Sequence, residues 1–269
     1  MKRHTAWRAT AAAVAALVIT WAAALAAPGT GAARDSEEEL LARVDQARGG
    51  AWGEFMLVMA VQPERNGQPE EPAEIEVYVK GVAGPGDESR QLVRFRSPQR
   101  LVGQVFLVVG ANSWLYQPGL RRPLRISAQQ KLFGDAGVAE AAGIVFAGHY
   151  RMRERREEEK EGQKWWHLFL EAKTPDLPYQ RVELWVDPET YRPQEAVLAS
   201  LSGTPLKRLR FLSYGRFAGG TAVREMAVEN LLQKNQRTLL KTLELRPVSL
   251  PEQAFRPEFM DKLRTLLGQ

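Results

Sequence analysis

The chain has 269 residues, 44% of them hydrophobic and none of them cysteine, so a large core can form but no disulfide can staple it. Lys and Arg number 37 against 32 Asp and Glu, a formal charge of +5. Three of those cations fall in the first eight residues, and beyond residue 33 the balance is 34 to 32, which gives no sign of a nucleic-acid partner.

Lys2, Arg3 and Arg8 precede an Ala, Val and Leu run from Ala9 to Ala27, and Ala24-Leu25-Ala26 forms an A-x-A-like cleavage site, with Ala33 as a second one. This pattern predicts a secretory signal peptide over residues 1–33 and a single domain over 34–269. An uncleaved anchor is the competing reading, and the modest hydrophobicity of an alanine-rich run favours cleavage. Nothing after it approaches the roughly 18 apolar residues that span a bilayer.

From Arg34 to Arg48, acids lead and Leu40, Leu41, Val44 and Ala47 follow at helical spacing, with Asp35 or Ser36 as N-cap and Gly49-Gly50 as the stop. Gly53 to Gln62 is continuously apolar, a strand buried on both faces that carries Phe55, Leu57 and Met59. Glu74 to Lys80 alternates, with Ile75, Val77 and Val79 on one face and Glu74, Glu76 and Tyr78 on the other. Arg90 to Arg96 alternates too, with Val93 and Phe95 inward and Arg94 and Arg96 outward.

Val105–Val109 and Ser113–Tyr116 flank Gly110-Ala111-Asn112 as a hairpin, and Leu124 to Ile126 begins a further strand. Ser127 then reads as a cap and 128–133 as helical, followed by a break at Gly134-Asp135 and a second helical piece over Val138 to Ala142, closed by Gly143. The segment 128–143 is poor in large side chains and is expected to be a weakly anchored lid, or else a plain connection across one end of the sheet.

The mixed-charge run from Arg151 to Lys164 reads as the tip of a hairpin turning at Gly162. Gln180 to Asp187 puts Val182, Leu184 and Val186 on one face, and Asp187 with Glu189 serves a Pro-containing turn. Leu206 to Tyr214 sets Arg208 and Arg210 against Leu209 and Phe211. Ala222 to Leu231, which carries Met226, and Arg237 to Pro247 form the last long pair of strands, with Leu239, Leu243 and Leu245 expected on one face with Lys241. Pro257 to Leu267 reads as a terminal amphipathic helix.

No motif for hydrolysis, phosphate binding or dinucleotide binding follows a strand, and His149 and His167 lack metal-ligand spacing. The expectation is a protein that is not an enzyme and carries no cofactor or metal. The apolar inner faces collect Phe55, Leu57, Met59, Val77, Val79, Val93, Phe95, Leu184, Val186, Leu209, Phe211 and Met226. These residues either fill a solid core or line an apolar cavity suited to an acyl chain.

Trp114-Leu-Tyr-Gln-Pro, Arg121-Arg122, Arg125-Ile126-Ser127 and Gly134-Asp135-Ala136 resemble the outer-membrane lipoprotein-sorting proteins, the LolA-like family of periplasmic carriers. Trp185-Val-Asp-Pro-Glu-Thr-Tyr-Arg-Pro, Phe211-Leu-Ser-Tyr and Leu245-Arg-Pro-Val, with Phe255 and Phe259 beyond, fit the same pattern from about Gly53 to Phe259. The resemblance implies a mainly β fold, a half-open antiparallel barrel of ten to eleven strands with short helices covering the mouth. It implies a monomeric periplasmic carrier of lipid or lipoprotein acyl chains, which exchanges cargo with an inner-membrane transporter and an outer-membrane acceptor. The lack of cysteine means the chain is not itself lipidated. A periplasmic sensor of the same fold, binding lipids and a protein partner, is the alternative. A membrane-embedded barrel is disfavoured by the outward Arg94, Arg96, Arg208 and Arg210.

Overall fold

The computed structural model describes residues 36–49, 53–81, 88–127, 129–160, 162–218 and 220–267. The expected signal peptide and Asp35 lie outside them. Helix α1 (Glu37–Ala47) begins where the sequence places it: the Ser36 hydroxyl accepts from the Glu39 N–H at 3.2 Å, and three glutamates fill the first turn. Its apolar stripe buries Leu40, Leu41 and Val44. Gly49, at a φ of +101°, ends it against the sheet, where a Cβ would stand 2.6 Å from that of Ala222. Only glycine allows the helix end to come so close.

Among the described residues sixteen strands follow. They are β1 (Glu54–Arg65), β2 (Gln68–Pro69), β3 (Ala73–Lys80), β4 (Arg90–Ser97), β5 (Val105–Val109), β6 (Asn112–Tyr116), β7 (Leu124–Ile126), β8 (Lys131–Phe133) and β9 (Ala136–Gly137), then, after helix α2 (Val138–Ala142), β10 (Tyr150–Lys160), β11 (Gln163–Ala172), β12 (Arg181–Val186), β13 (Pro193–Ala199), β14 (Pro205–Phe217), β15 (Gly220–Asn230) and β16 (Gln236–Pro247). Fourteen of them form one antiparallel sheet in the order β10 to β16, then β1, β3, β4, β5, β6 and β7, with β2 beside β1. The path runs from edge β10 to edge β7 without closing, which is the half-open barrel that the resemblance implies. The strand number exceeds ten to eleven partly because two-residue strands such as β2 and β9 show no periodicity. Edge β10 is studded with Arg and Glu, which protects an open edge from pairing with another chain.

The inner face carries one continuous apolar cluster that takes in α1, α2 and strands from β1 to β16. Strand β1 is buried on both sides, as its unbroken apolar run requires. Phe55, Met59 and Val61 face inward, while Met56 and Val58 join Tyr78, Leu92, Val105 and Leu107 in a second cluster on the outer face. The chain's end covers that second cluster with Leu250, Ala254, Phe255, Met260 and Leu263. This end is two 3₁₀ turns, Glu252–Phe255 and Pro257–Lys262, before a single turn of α3 (Leu263–Leu266), rather than the amphipathic helix that the spacing predicts. It lies over the outer face and not over the mouth.

Two further expectations are corrected. Leu245 faces inward while Leu239, Lys241 and Leu243 do not. Val58 pairs with Glu244 and Met59 with Thr242, so Leu243 is an extra residue that reverses the alternation behind it. Residues 131–133 form β8, paired with β9, and not a helix; Ala128 lies outside the described residues.

An ion-pair cluster fixes the chain's end to the sheet. Lys80 lies 2.8 Å from Glu54 and 2.5 Å from Glu252, Arg90 also pairs with Glu252, and Glu54 accepts from the Leu250 N–H at 2.7 Å. The hydrogen bond from Lys80 is the main cause that holds both carboxyls below their ordinary pKa of 4.5. A depressed carboxyl adds stability above its unfolded pKa and loses it as pH falls through the folded one. Glu252→Gln should therefore lower Tm at pH 7 by no more than a few degrees, as exposed pairs do. Thermal melts from pH 7 to 3 should show the gap to wild type closing below pH 4.5; a gap that persists at pH 3 would contradict this.

Candidate functional site

The segment Lys131–Ala142 enters the barrel and packs on β3 and β4. It is buried from Asp135 to Ala142, and Phe133 meets Phe95 edge-on at 6.1 Å between centroids. Polar anchors hold it. The Asp135 N–H donates to the Thr238 hydroxyl at 2.8 Å, and the Asn230 amide donates to the Asp135 carboxylate at 3.1 Å. Glu140, 2% exposed, accepts from the Gly137 N–H and pairs with Lys207, both at 2.5 Å, and accepts from the Tyr179 hydroxyl. A buried carboxylate so surrounded is satisfied; removing one partner of such a pair costs about 3–5 kcal/mol. The segment is thus a plug, not the weakly anchored lid expected from its composition. Its small residues mark close packing: at Gly134 a Cβ would stand 2.5 Å from the Thr238 hydroxyl oxygen and 2.9 Å from Pro63.

Helix α1 covers the other part of the concavity. The Asp45 carboxylate accepts from the N–H groups of Phe146 at 2.9 Å and Ala147 at 2.8 Å. Arg48 pairs with Asp45, donates to the Ile144 carbonyl at 2.5 Å, and stacks on Phe146 with its guanidinium 4.7 Å from the ring centroid. At the other end of α1, Glu38 accepts from the Gly148 N–H and pairs with Lys173 at 2.9 Å.

Plug and helix together do not fill the concavity. Between them and β1, β3, β14, β15 and β16 lies a cavity of about 880 Å³. Seven of the twelve expected residues line it: Phe55, Leu57, Met59, Val79, Leu209, Phe211 and Met226. Val77, Val93, Phe95, Leu184 and Val186 do not. They are at most 3% exposed and belong to the packed part of the same inner cluster. The solid-core and cavity readings left open by the sequence are each realised in a different part of the barrel.

Several lining residues escape the sequence. Ala141, Ala142 and Ile144 come from the plug and the loop behind it, and Glu88, Gln91, Glu140, His149 and Lys173 bring polar groups to the wall. The one available signal was the small residues Ala139, Ala141, Ala142 and Gly143, which cannot close a wide concavity. His149, which lacks metal-ligand spacing in the sequence, stands on this wall; burial lowers its pKa, opposed by Asp45 and Glu88. His167 lies elsewhere, stacked on Trp185 at 4.0 Å with its ring nitrogens 2.7 Å from Glu158 and 3.2 Å from Glu183. Asp187 serves its turn by accepting from the N–H groups of Glu189 and Thr190. Among the described residues no cluster of three His, Cys, Asp or Glu could hold a metal ion, and no helix is long and apolar enough to cross a membrane.

A family model described as "-like: Uncharacterized protein" matches residues 87–262, well over half of the chain. The chain belongs to that family. Its fold is LolA-like. A LolA superfamily protein from Nitrosomonas europaea is 24% identical, with a TM-score of 0.74 over 84% of this chain and 99% of that one. A domain from Vibrio parahaemolyticus, described as that of an outer membrane lipoprotein-sorting protein, is 23% identical with a TM-score of 0.69 over 84% and 98%. A DUF1329 family protein from Desulfovibrio piger is 21% identical, with a TM-score of 0.69 over 83% and 97%. Among curated proteins none matches significantly.

Within this LolA-like barrel the two groups of inner residues should respond differently to truncation. Leu184→Ala, in the packed part, should cost about 2–5 kcal/mol. Met226→Ala, half-buried on the cavity wall, should cost under about 1 kcal/mol, because the side chain borders the cavity and has few packed neighbours to lose. Urea denaturation gives both values, and equal losses would mean that the cavity is closed around Met226 in solution.

Proposed function

We propose that this protein is a periplasmic carrier that shields acyl chains of a lipid or lipoprotein from water in the barrel's cavity. The observation that carries the reading is the 880 Å³ space walled by Phe55, Leu57, Met59, Leu209, Phe211 and Met226 inside a barrel whose other inner residues are packed. Water against a largely apolar wall makes few hydrogen bonds there, so an apolar occupant that displaces it is favoured. Each methylene transferred from water contributes roughly 0.8 kcal/mol, and a chain of a dozen or more carbons supplies useful affinity without any covalent step. Binding is then a matter of packing, and the polar groups of the wall set orientation rather than chemistry.

The amino-terminal pattern of residues 1–33 supports export, and the likeness to a lipoprotein-sorting domain supports lipoprotein acyl chains as the cargo class. Under this reading the chain is a monomer that receives cargo from an inner-membrane transporter and passes it to an outer-membrane acceptor. The charged convex face fits a soluble life: Arg208 and Arg210 interlock with Glu195 and Glu229 at 3.0–3.9 Å.

Filling the cavity tests the reading. Met226→Trp should grow into the cavity, keep Tm within a few degrees of wild type, and lower affinity for a fluorescent long-chain fatty probe at least tenfold, the loss of about 1.4 kcal/mol of apolar contact. A stable Met226→Trp protein that binds the probe like wild type would place the acyl site elsewhere and reject the proposal.

A further inference from the structure

The charges at the cavity do not balance once their partners are assigned. Arg48 is engaged by Asp45 and the Ile144 carbonyl, Lys173 by Glu38, and Lys207 by Glu140. That leaves Glu88. Among the described residues no cation pairs with it and no group donates to it. Its carboxylate sits over Gly110, where a Cβ would lie 2.8 Å from Oε1, and it faces outward at the same wall as His149. Gly110 has a φ of +55°, so both its conformation and its missing side chain hold open the place that the carboxylate occupies.

Resting on the acyl-cavity reading, we infer that the mouth of the cavity selects acyl ligands that end in an ammonium group over those that end in a carboxylate, with Glu88 as the counter-charge and His149 as a neutral second acceptor. An ammonium brings three donors and no acceptor. Glu88 offers it a charge-assisted hydrogen bond, and the imidazole offers a ring nitrogen. The groups that act on His149 are Asp45, Glu88, Lys173 and Glu38; burial outweighs the acids among them and keeps the ring neutral at pH 7. A carboxylate at the same place meets the opposite situation. The cations of the wall already serve other carboxylates, so it would face Glu88 without compensation.

Binding of three single-chain probes of equal length, an alkylammonium, a fatty acid and a monoacylglycerol, tests this by calorimetry at pH 7 and low salt. The wild type should hold the alkylammonium about threefold to tenfold more tightly than the fatty acid, the size of a part-exposed charge contact. Glu88→Gln should remove that preference, and its melting curve should match wild type because the side chain is exposed. Equal affinities in the wild type, or a preference that survives Glu88→Gln, would overturn the inference while leaving the cavity reading intact, provided the neutral probe binds. No binding of any probe would overturn both. An aminophospholipid and a diacylated lipopeptide with a free α-amine carry the same ammonium. Each measured against its N-acetylated form shows which source is favoured, and acetylation without effect on either would contradict the role of Glu88.

Discussion

A curved sheet with one apolar face has to cover that face, and the cover here is deliberately incomplete. The concavity receives two bodies, helix α1 and the plug built from β8, β9 and α2. Both are pinned by buried or part-buried carboxylates, Asp45 for the loop at Phe146 and Ala147, and Glu140 for Lys207 and the Gly137 N–H. Those pins set how far each body reaches into the barrel. The space that remains is bounded by side chains too short to meet across it, such as Ala141, Ala142 and Ala222. The cavity is therefore a consequence of where two polar anchors stop the packing, and not of any gap in the sheet.

The outer face solves a different problem. The part over β1, β3, β4 and β5 is closed by the chain's end, which gives β1 its second apolar face and is tied down by Lys80, Glu54 and Glu252. Arg94 and Glu76 form a largely buried pair beside it, and the rest of the face carries the part-exposed cross-strand network of Arg208, Arg210, Glu195 and Glu229. Such pairs contribute little each at an exposed site. They give the open sheet a face that neither collapses nor recruits another sheet.

How much of this was legible in the sequence depends on the range of the interaction. Period-two alternation fixed the faces of β3, β4 and β12 correctly, because Val77, Phe95 and Leu184 report burial within a few residues of chain. The unbroken run of β1 announced two buried faces, although not that the chain's own end would supply the second. Leu245 was misplaced because a single extra residue, Leu243, inverts every face behind it and leaves no trace in composition. The plug was misjudged for a related reason. Gly134 and its alanine neighbours look loose in sequence, yet their smallness allows contact with Pro63 and Thr238, residues distant in the chain. The division of the inner residues into cavity wall and packed core follows from those long-range contacts and had no local signal.

The central claim is that the space behind Phe211 and Met226 is open and is occupied by an acyl chain in the working protein. Native mass spectrometry of the protein purified from cells without detergent addresses it directly. The account predicts a population heavier than the polypeptide by the mass of an acyl lipid, which organic extraction releases as an identifiable amphiphile. A single species at the bare polypeptide mass, unchanged after incubation with excess long-chain lipid, would contradict it.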